Sequence, residues 1–93
     1  VLFRVWGASE GGGVIALFPT LPGTQDPESC ESYEHVGQHG AADFQGMLHR
    51  TRRARPEEYA ELAAELREIG YVLDIRERAT RDMHEERRRA ARS

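Results

Sequence analysis

The sequence predicts an α+β fold: a small antiparallel sheet of four strands, with a mixed sheet as the alternative, in the order β-β-β-α-α-β. The main helix spans Pro56–Ile69 and packs on one face of the sheet, and a polar C-terminal helix or tail follows. Three observations carry this reading. Val1 to Trp6 alternates, with Val1, Phe3 and Val5 on one face and Arg4 on the other, as a half-buried strand does. Val14–Phe18 is apolar on both faces, the pattern of a central strand. Tyr59, Leu62, Ala63, Leu66 and Ile69 recur at three- and four-residue spacing and form one stripe along a helix.

The elements follow in order. Gly7-Ala8-Ser9-Glu10-Gly11-Gly12-Gly13 is a flexible turn, long for a hairpin loop. Its glycines lack the Lys-Ser/Thr pair and the following helix of a phosphate loop, so a plain turn is expected. Pro19 is expected to end the second strand, and Pro22-Gly23 and Pro27 mark an irregular connection. Cys30–Val36 reads as a third strand of weaker pattern, with Glu31, Tyr33 and His35 on one face. A strand-to-helix corner at His35–Gly40 then leads to a short helix around Phe44–Arg50, with Asp43 as its N-cap. Pro56 suits the first position of the main helix, and Glu57 and Glu58 sit at the positive end of its dipole. Gly70 is the expected left-handed stop, with Tyr71 folding back on Leu66 as in a Schellman cap. The last strand places Tyr71, Leu73 and Ile75 on one face and Asp74 and Arg76 on the other.

Residues 1–78 read as a single α+β domain and residues 79–93 as a charged C-terminal helix or tail. Met83 is the only sizeable apolar residue of that segment, so a frayed or extended helix is expected. Ile15, Leu17, Tyr33 and Trp6 are left on the second face of the sheet, which one helix cannot cover. That surplus predicts a homo-oligomer, a dimer first.

Composition narrows the function. The 93 residues are 31% charged and 39% hydrophobic with a net charge of −3, as in a soluble globular domain. All 13 basic residues are arginine, and lysine and asparagine are absent. Residues 1–50 hold two arginines against six acids, whereas residues 74–93 hold seven against five. An acidic body with a mildly basic tail is a poor nucleic-acid binder by bulk electrostatics. Cys30 is the only cysteine, which rules out an internal disulfide. No apolar run approaches the ~18–20 residues a bilayer needs. No charged-then-apolar leader is present, so a cytoplasmic protein without a membrane partner is expected.

The richest stretch is His35-Val36-Gly37-Gln38-His39-Gly40, with Asp43 close behind. His35 or His39 with Asp43 could serve as a base and its orienting carboxylate, but no nucleophile stands in a recognisable elbow. Two histidines four apart chelate a metal on a helix, and Gly37 and Gly40 argue against one. On an extended chain the rings lie ~13 Å apart. No zinc-type spacing joins Cys30, Asp43 or His49 to them, so neither a metal nor a cofactor is expected. Arg50, Arg52, Arg53 and Arg55 stand just before the main helix as anion-binding candidates, countered at once by Glu57 and Glu58. Tyr33, His35, His39 and Trp6 are the candidate surface for a protein or small-ligand partner.

Three blocks, Val14–Pro19, Ser32–Asp43, and Pro56–Tyr59 with Ile69–Tyr71, together resemble a set of short bacterial proteins from phage, plasmid and mobile gene-cassette settings. The resemblance covers roughly residues 3–78 and implies no activity. Arg53 and Arg55 depart from it, standing where such proteins tend to have Pro and Thr, which removes an N-cap before Pro56. The expected function is a non-enzymatic binding or assembly module acting as a homo-oligomer. A small His-dependent hydrolase or metal-binding protein is the alternative, and a nucleic-acid-binding accessory protein the third.

Overall fold

The two-sided hydrophobicity of Val14–Phe18 places it in the middle of the sheet. The computed structural model describes residues 1–34 and 38–92. In it β1 (Leu2–Trp6), β2 (Val14–Pro22), β3 (Ser29–Glu34), β4 (Gln38–Asp43) and β5 (Thr51–Arg53) form one sheet in the order β4-β3-β2-β1-β5. Every neighbouring pair is antiparallel. Three helices complete it: α1 (Phe44–Arg50), α2 (Pro56–Glu68) and α3 (Arg81–Arg92).

The class is the expected α+β, but the sheet has five strands rather than four and their order differs. Two strands arise where none was expected. Gln38–Asp43 forms β4 along β3 instead of a strand-to-helix corner, with Tyr33 opposite His39 and Ser29 opposite Asp43. Thr51–Arg53 forms β5 beside β1, where a loop was expected. Conversely, residues 71–76 are not a strand. β5 occupies Arg4–Trp6, and Ala54 N donates to Phe3 O, so only Val1 remains for that segment. The Val1 ammonium donates to Asp74 O at 2.7 Å and Arg76 N donates to Val1 O at 2.8 Å. The expected alternation survives without the ladder: Tyr71, Leu73 and Ile75 pack on the core. β2 also runs past Pro19 to Pro22. Its register with β3 shifts after Phe18, a bulge that tolerates a residue with no N–H to donate.

α2 covers one face. Phe3, Val5, Ala16, Phe18 and Tyr33 pack under Leu62, Ala63 and Leu66, and Phe3 stacks on Tyr59 with ring centroids 4.5 Å apart. Tyr33 therefore lies on this face, not with Ile15, Leu17 and Trp6, because the register sets it opposite Ala16. The helix ends as its sequence dictates. Gly70 takes φ 110°, its N–H reaches Arg67 O, and Tyr71 N reaches Leu66 O at 3.0 Å, the paired bonds of a Schellman cap. At the other end Arg55 occupies the N-cap position, and the Glu58 carboxylate accepts from Arg55 N at 2.9 Å. That bond supplies half of a capping box without the missing Thr.

The opposite face is covered within the chain. Leu2, Ile15, Leu17 and Cys30 lie under Phe44 and Met47 of α1. The C-terminal segment is a docked helix rather than a frayed one, and it docks through an arginine. Arg87 is fully buried; its Nε donates to Pro27 O at 3.0 Å and its Nη1 to Pro19 O at 2.9 Å. Its guanidinium stands 5.1 Å from the Phe44 ring centre. Thr80 caps α3, its hydroxyl accepting from Met83 N at 3.3 Å. The surplus apolar face that pointed to a second subunit is therefore hidden inside one chain.

His84 of α3 meets the Phe44 ring edge-on, and its Nδ1 is buried with no hydrogen-bond partner among the described residues. Burial, then the charges of Arg87 and Arg88, hold its pKa below the ordinary 6.5, with Glu28 opposing. Protonation thus favours the unfolded chain. Stability is full above pH 6.5 and is lost as pH falls through the depressed value. Thermal unfolding between pH 7 and pH 5 should show a falling midpoint, and His84→Gln should flatten that fall. An unchanged slope in the variant would refute the assignment.

Candidate functional site

A concavity lined by polar and apolar side chains lies on the α1 side of the sheet. β1 ends in Trp6, and Trp6 N donates to Gly13 O at 2.8 Å to close the turn toward β2. Gly11 and Gly12 take φ 102° and 68°, a left-handed pair that non-glycine residues rarely adopt. α1 crosses the same face and ends with Arg50 beside Trp6. Arg4 fixes that crossing, its guanidinium donating to Leu48 O, Thr51 O and Thr51 Oγ1. These donors satisfy carbonyls at the negative end of α1.

A cleft of about 270 Å³ runs from Trp6 and Ile15 along Ser32 and Glu34 of β3 to Met47 and Arg50 of α1. Beyond Trp6 and Arg50, a second hollow of about 490 Å³ is bounded by Gly7, Gly12, His49 and Arg52. Trp6 and Arg50 form the ridge between the two. Asp43 borders the first cleft at the start of α1, where it holds the N-cap position without a side-chain capping bond. Its carboxylate folds over Gly46 instead: a methyl group at position 46 would fall 2.5 Å from Asp43 Oδ2.

The other candidates are dispersed. His39 sits on the α2 side of β4, edge-on to Tyr33 with centroids 4.6 Å apart, and its Nε2 lies 3.2 Å from Tyr71 Oη. The Tyr33 hydroxyl donates to Glu65 of α2. Tyr33 and His39 are thus brought together as a pair, but on the face opposite Trp6. His39 and Asp43 stand four residues apart on one strand, ~13 Å at the usual rise, so they form no dyad. His35 lies outside the described residues. Cys30 is fully buried, and burial pushes its thiol up to about 11, far from a thiolate at neutral pH. Ser32 donates to Gly40 O at 3.2 Å.

The arginine run is divided by its own strand. Successive side chains of β5 point to opposite faces. Arg52 makes a two-pronged pair with Glu58, 2.8 Å at Nη1, which holds that carboxyl well below the usual range. Arg53 meets Glu77 at 3.5 Å on the other side. Arg55 is exposed at the start of α2. Arg50 alone of the four joins the cleft.

No protein family, curated protein or solved structure matches this chain.

Among the described residues no three His, Cys, Asp or Glu side chains gather as metal ligands, and no helix is long and apolar enough to cross a membrane. Ser32 stands out from sequence only as a nucleophile outside any recognisable elbow, and Glu34 and Met47 do not stand out at all, although the signal is present. The alternation that puts Cys30 and Ser32 on one face of β3 also puts Glu34 there, on the side where Trp6 ends β1.

Proposed function

We propose that the chain is a non-enzymatic binding and assembly module, acting as a homo-oligomer, that takes a small ligand in the cleft at Trp6. The observation that carries this reading is the pairing of an accessible indole with Arg50 on a ridge flanked by two hollows. An indole offers a flat apolar face, and a guanidinium offers several directed donors. Glu34 adds an acceptor on the far wall. Such a lining suits a flat ring carrying an anionic or carbonyl group. Catalysis has less support, because Ser32 and Asp43 border the cleft without a histidine, His39 lies on the opposite face, and the buried Cys30 thiol is held neutral. Assembly draws support from an open sheet edge rather than from an apolar face.

The test uses anilinonaphthalene sulfonate, a dye that is both aromatic and anionic. Saturable, single-site binding is expected, read from dye emission. Arg50→Ala should weaken it about tenfold, the worth of one charge-assisted hydrogen bond, and Trp6→Ala should weaken it further. Equal binding by the wild type and both variants would sink the site.

A further inference from the structure

The two edges of the sheet are built differently. β5 is three residues long, carries Arg52 and Arg53, and is held against β1, the short charged edge with which proteins discourage pairing. β4 is six residues long and pairs with β3 without a register shift. It is the last strand on its side and contains no proline, lysine or arginine. His39, Gly40, Ala41 and Asp43 are exposed along it.

The direction of its main-chain groups follows from the ladder. Phe44 N donates inward to Glu28 O at 3.1 Å, and the bonding of an antiparallel strand alternates residue by residue. Ala42, Gly40 and Gln38 therefore bond toward β3, while Asp43, Ala41 and His39 present their N–H and C=O groups outward. Three residues in a row of that outward set have a symmetry of their own. If two β4 strands run antiparallel about a two-fold axis at Ala41, Ala41 faces Ala41, and His39 of each chain faces Asp43 of the other. All three are bonded positions of the new ladder. The two end pairs join a basic residue to an acidic one, and the centre offers only a methyl group to a methyl group.

We propose that β4 is the self-association edge of this protein, pairing with β4 of a second copy in the register centred on Ala41, so that two five-stranded sheets join into one. The proposal rests on the assembly half of the reading above and specifies its surface. A two-fold pairing of this kind is closed: each chain uses its one open edge, so association stops at the dimer. To meet across the two-fold axis, His39 leaves Tyr71 Oη and the Asp43 side chain turns away from Gly46, so the end pairs form only on association.

Light scattering after size exclusion, over a hundredfold range of concentration, reads the outcome. The wild type should move from 10.5 kDa toward twice that mass. Ala41→Pro removes an outward N–H and no bond within the chain, so it should stay monomeric with an unchanged circular dichroism spectrum. His39→Asp and Asp43→His each set like beside like twice per dimer and should weaken association about tenfold. The doubly exchanged variant restores both pairs and should recover it. That recovery separates pairing from damage to the strand, and it decides the matter should Ala41→Pro fail to fold. A wild type that is monomeric throughout overturns both this inference and the assembly reading. A dimer indifferent to Ala41→Pro overturns this edge and leaves assembly standing. A dimer broken by Ala41→Pro but indifferent to the exchanges overturns the register.

Discussion

Arg87→Ala should destabilise the protein by about 3 kcal/mol and lower Tm by roughly 12–24 °C. The side chain is fully buried and donates to two carbonyls far away in sequence, Pro19 O and Pro27 O. Hydrogen bonds from a charged donor are worth about 1.5–3 kcal/mol each, and the Phe44 ring adds about 1 more. Part of that gross gain is offset by desolvating the guanidinium, so the net falls near a single strong bond plus lost packing. Arg87→Lys keeps the charge without the planar fork and should recover only part of the loss. Arg81→Ala, on the exposed side of the same helix, should change stability by no more than about 0.5 kcal/mol. Thermal unfolding followed by circular dichroism measures all three. Equal midpoints for Arg87→Ala and Arg81→Ala would mean that α3 is not docked as described.

Leu66→Ala should cost a similar amount, about 3 kcal/mol within the 2–5 typical of buried leucines. Leu66 is fully buried where α2 meets Phe3, Ala16 and Tyr33, and its carbonyl also accepts the Tyr71 N–H that closes the helix. The substitution leaves that backbone bond in place and removes only the side chain, so the loss reads transfer and cavity together. Urea unfolding at constant m-value is the measurement; a loss below about 1 kcal/mol would show that α2 packs loosely on the sheet. Leu66 and Arg87 lie on opposite faces with no shared partner, and their effects should add within about 0.5 kcal/mol. Each alone takes a large share of the roughly 5–15 kcal/mol on which a domain of this kind rests.

What was legible in the sequence was whatever local pattern alone decides. The α2 stripe from Tyr59 to Leu66, its proline start and its glycine stop needed only helical spacing and the steric rules of backbone dihedrals; Ile69, expected as the stripe's last member, instead follows the helix end at Glu68 and is exposed. The alternation of Tyr71, Leu73 and Ile75 was also legible, but not the absence of a strand there. Pairing depends on which edge of β1 is vacant, and β5 had taken it. β5 itself is three residues of Thr-Arg-Arg, too short and too charged to carry a period. β4 is His-Gly-Ala-Ala-Asp after Gln38, with no β-branched residue; its partner β3 makes it a strand. Trp6 was legible as a surface residue and Arg50 as a cation, yet nothing local says that they meet, because α1 must first cross the sheet to bring them together.

Arg87 was the hardest to foresee, since a helix with one methionine and eight charged residues reads as solvated. It closes its contacts across 60 and 68 residues of chain. By contrast β1 to β4 lie side by side in chain order, each joined to the one before it. The meander is a topology of near neighbours that can assemble quickly, whereas the arginine clasp closes across most of the chain. Both acceptors of Arg87 belong to β2 and the turn that follows it, so α3 is a latch whose keeper exists only once the meander has formed.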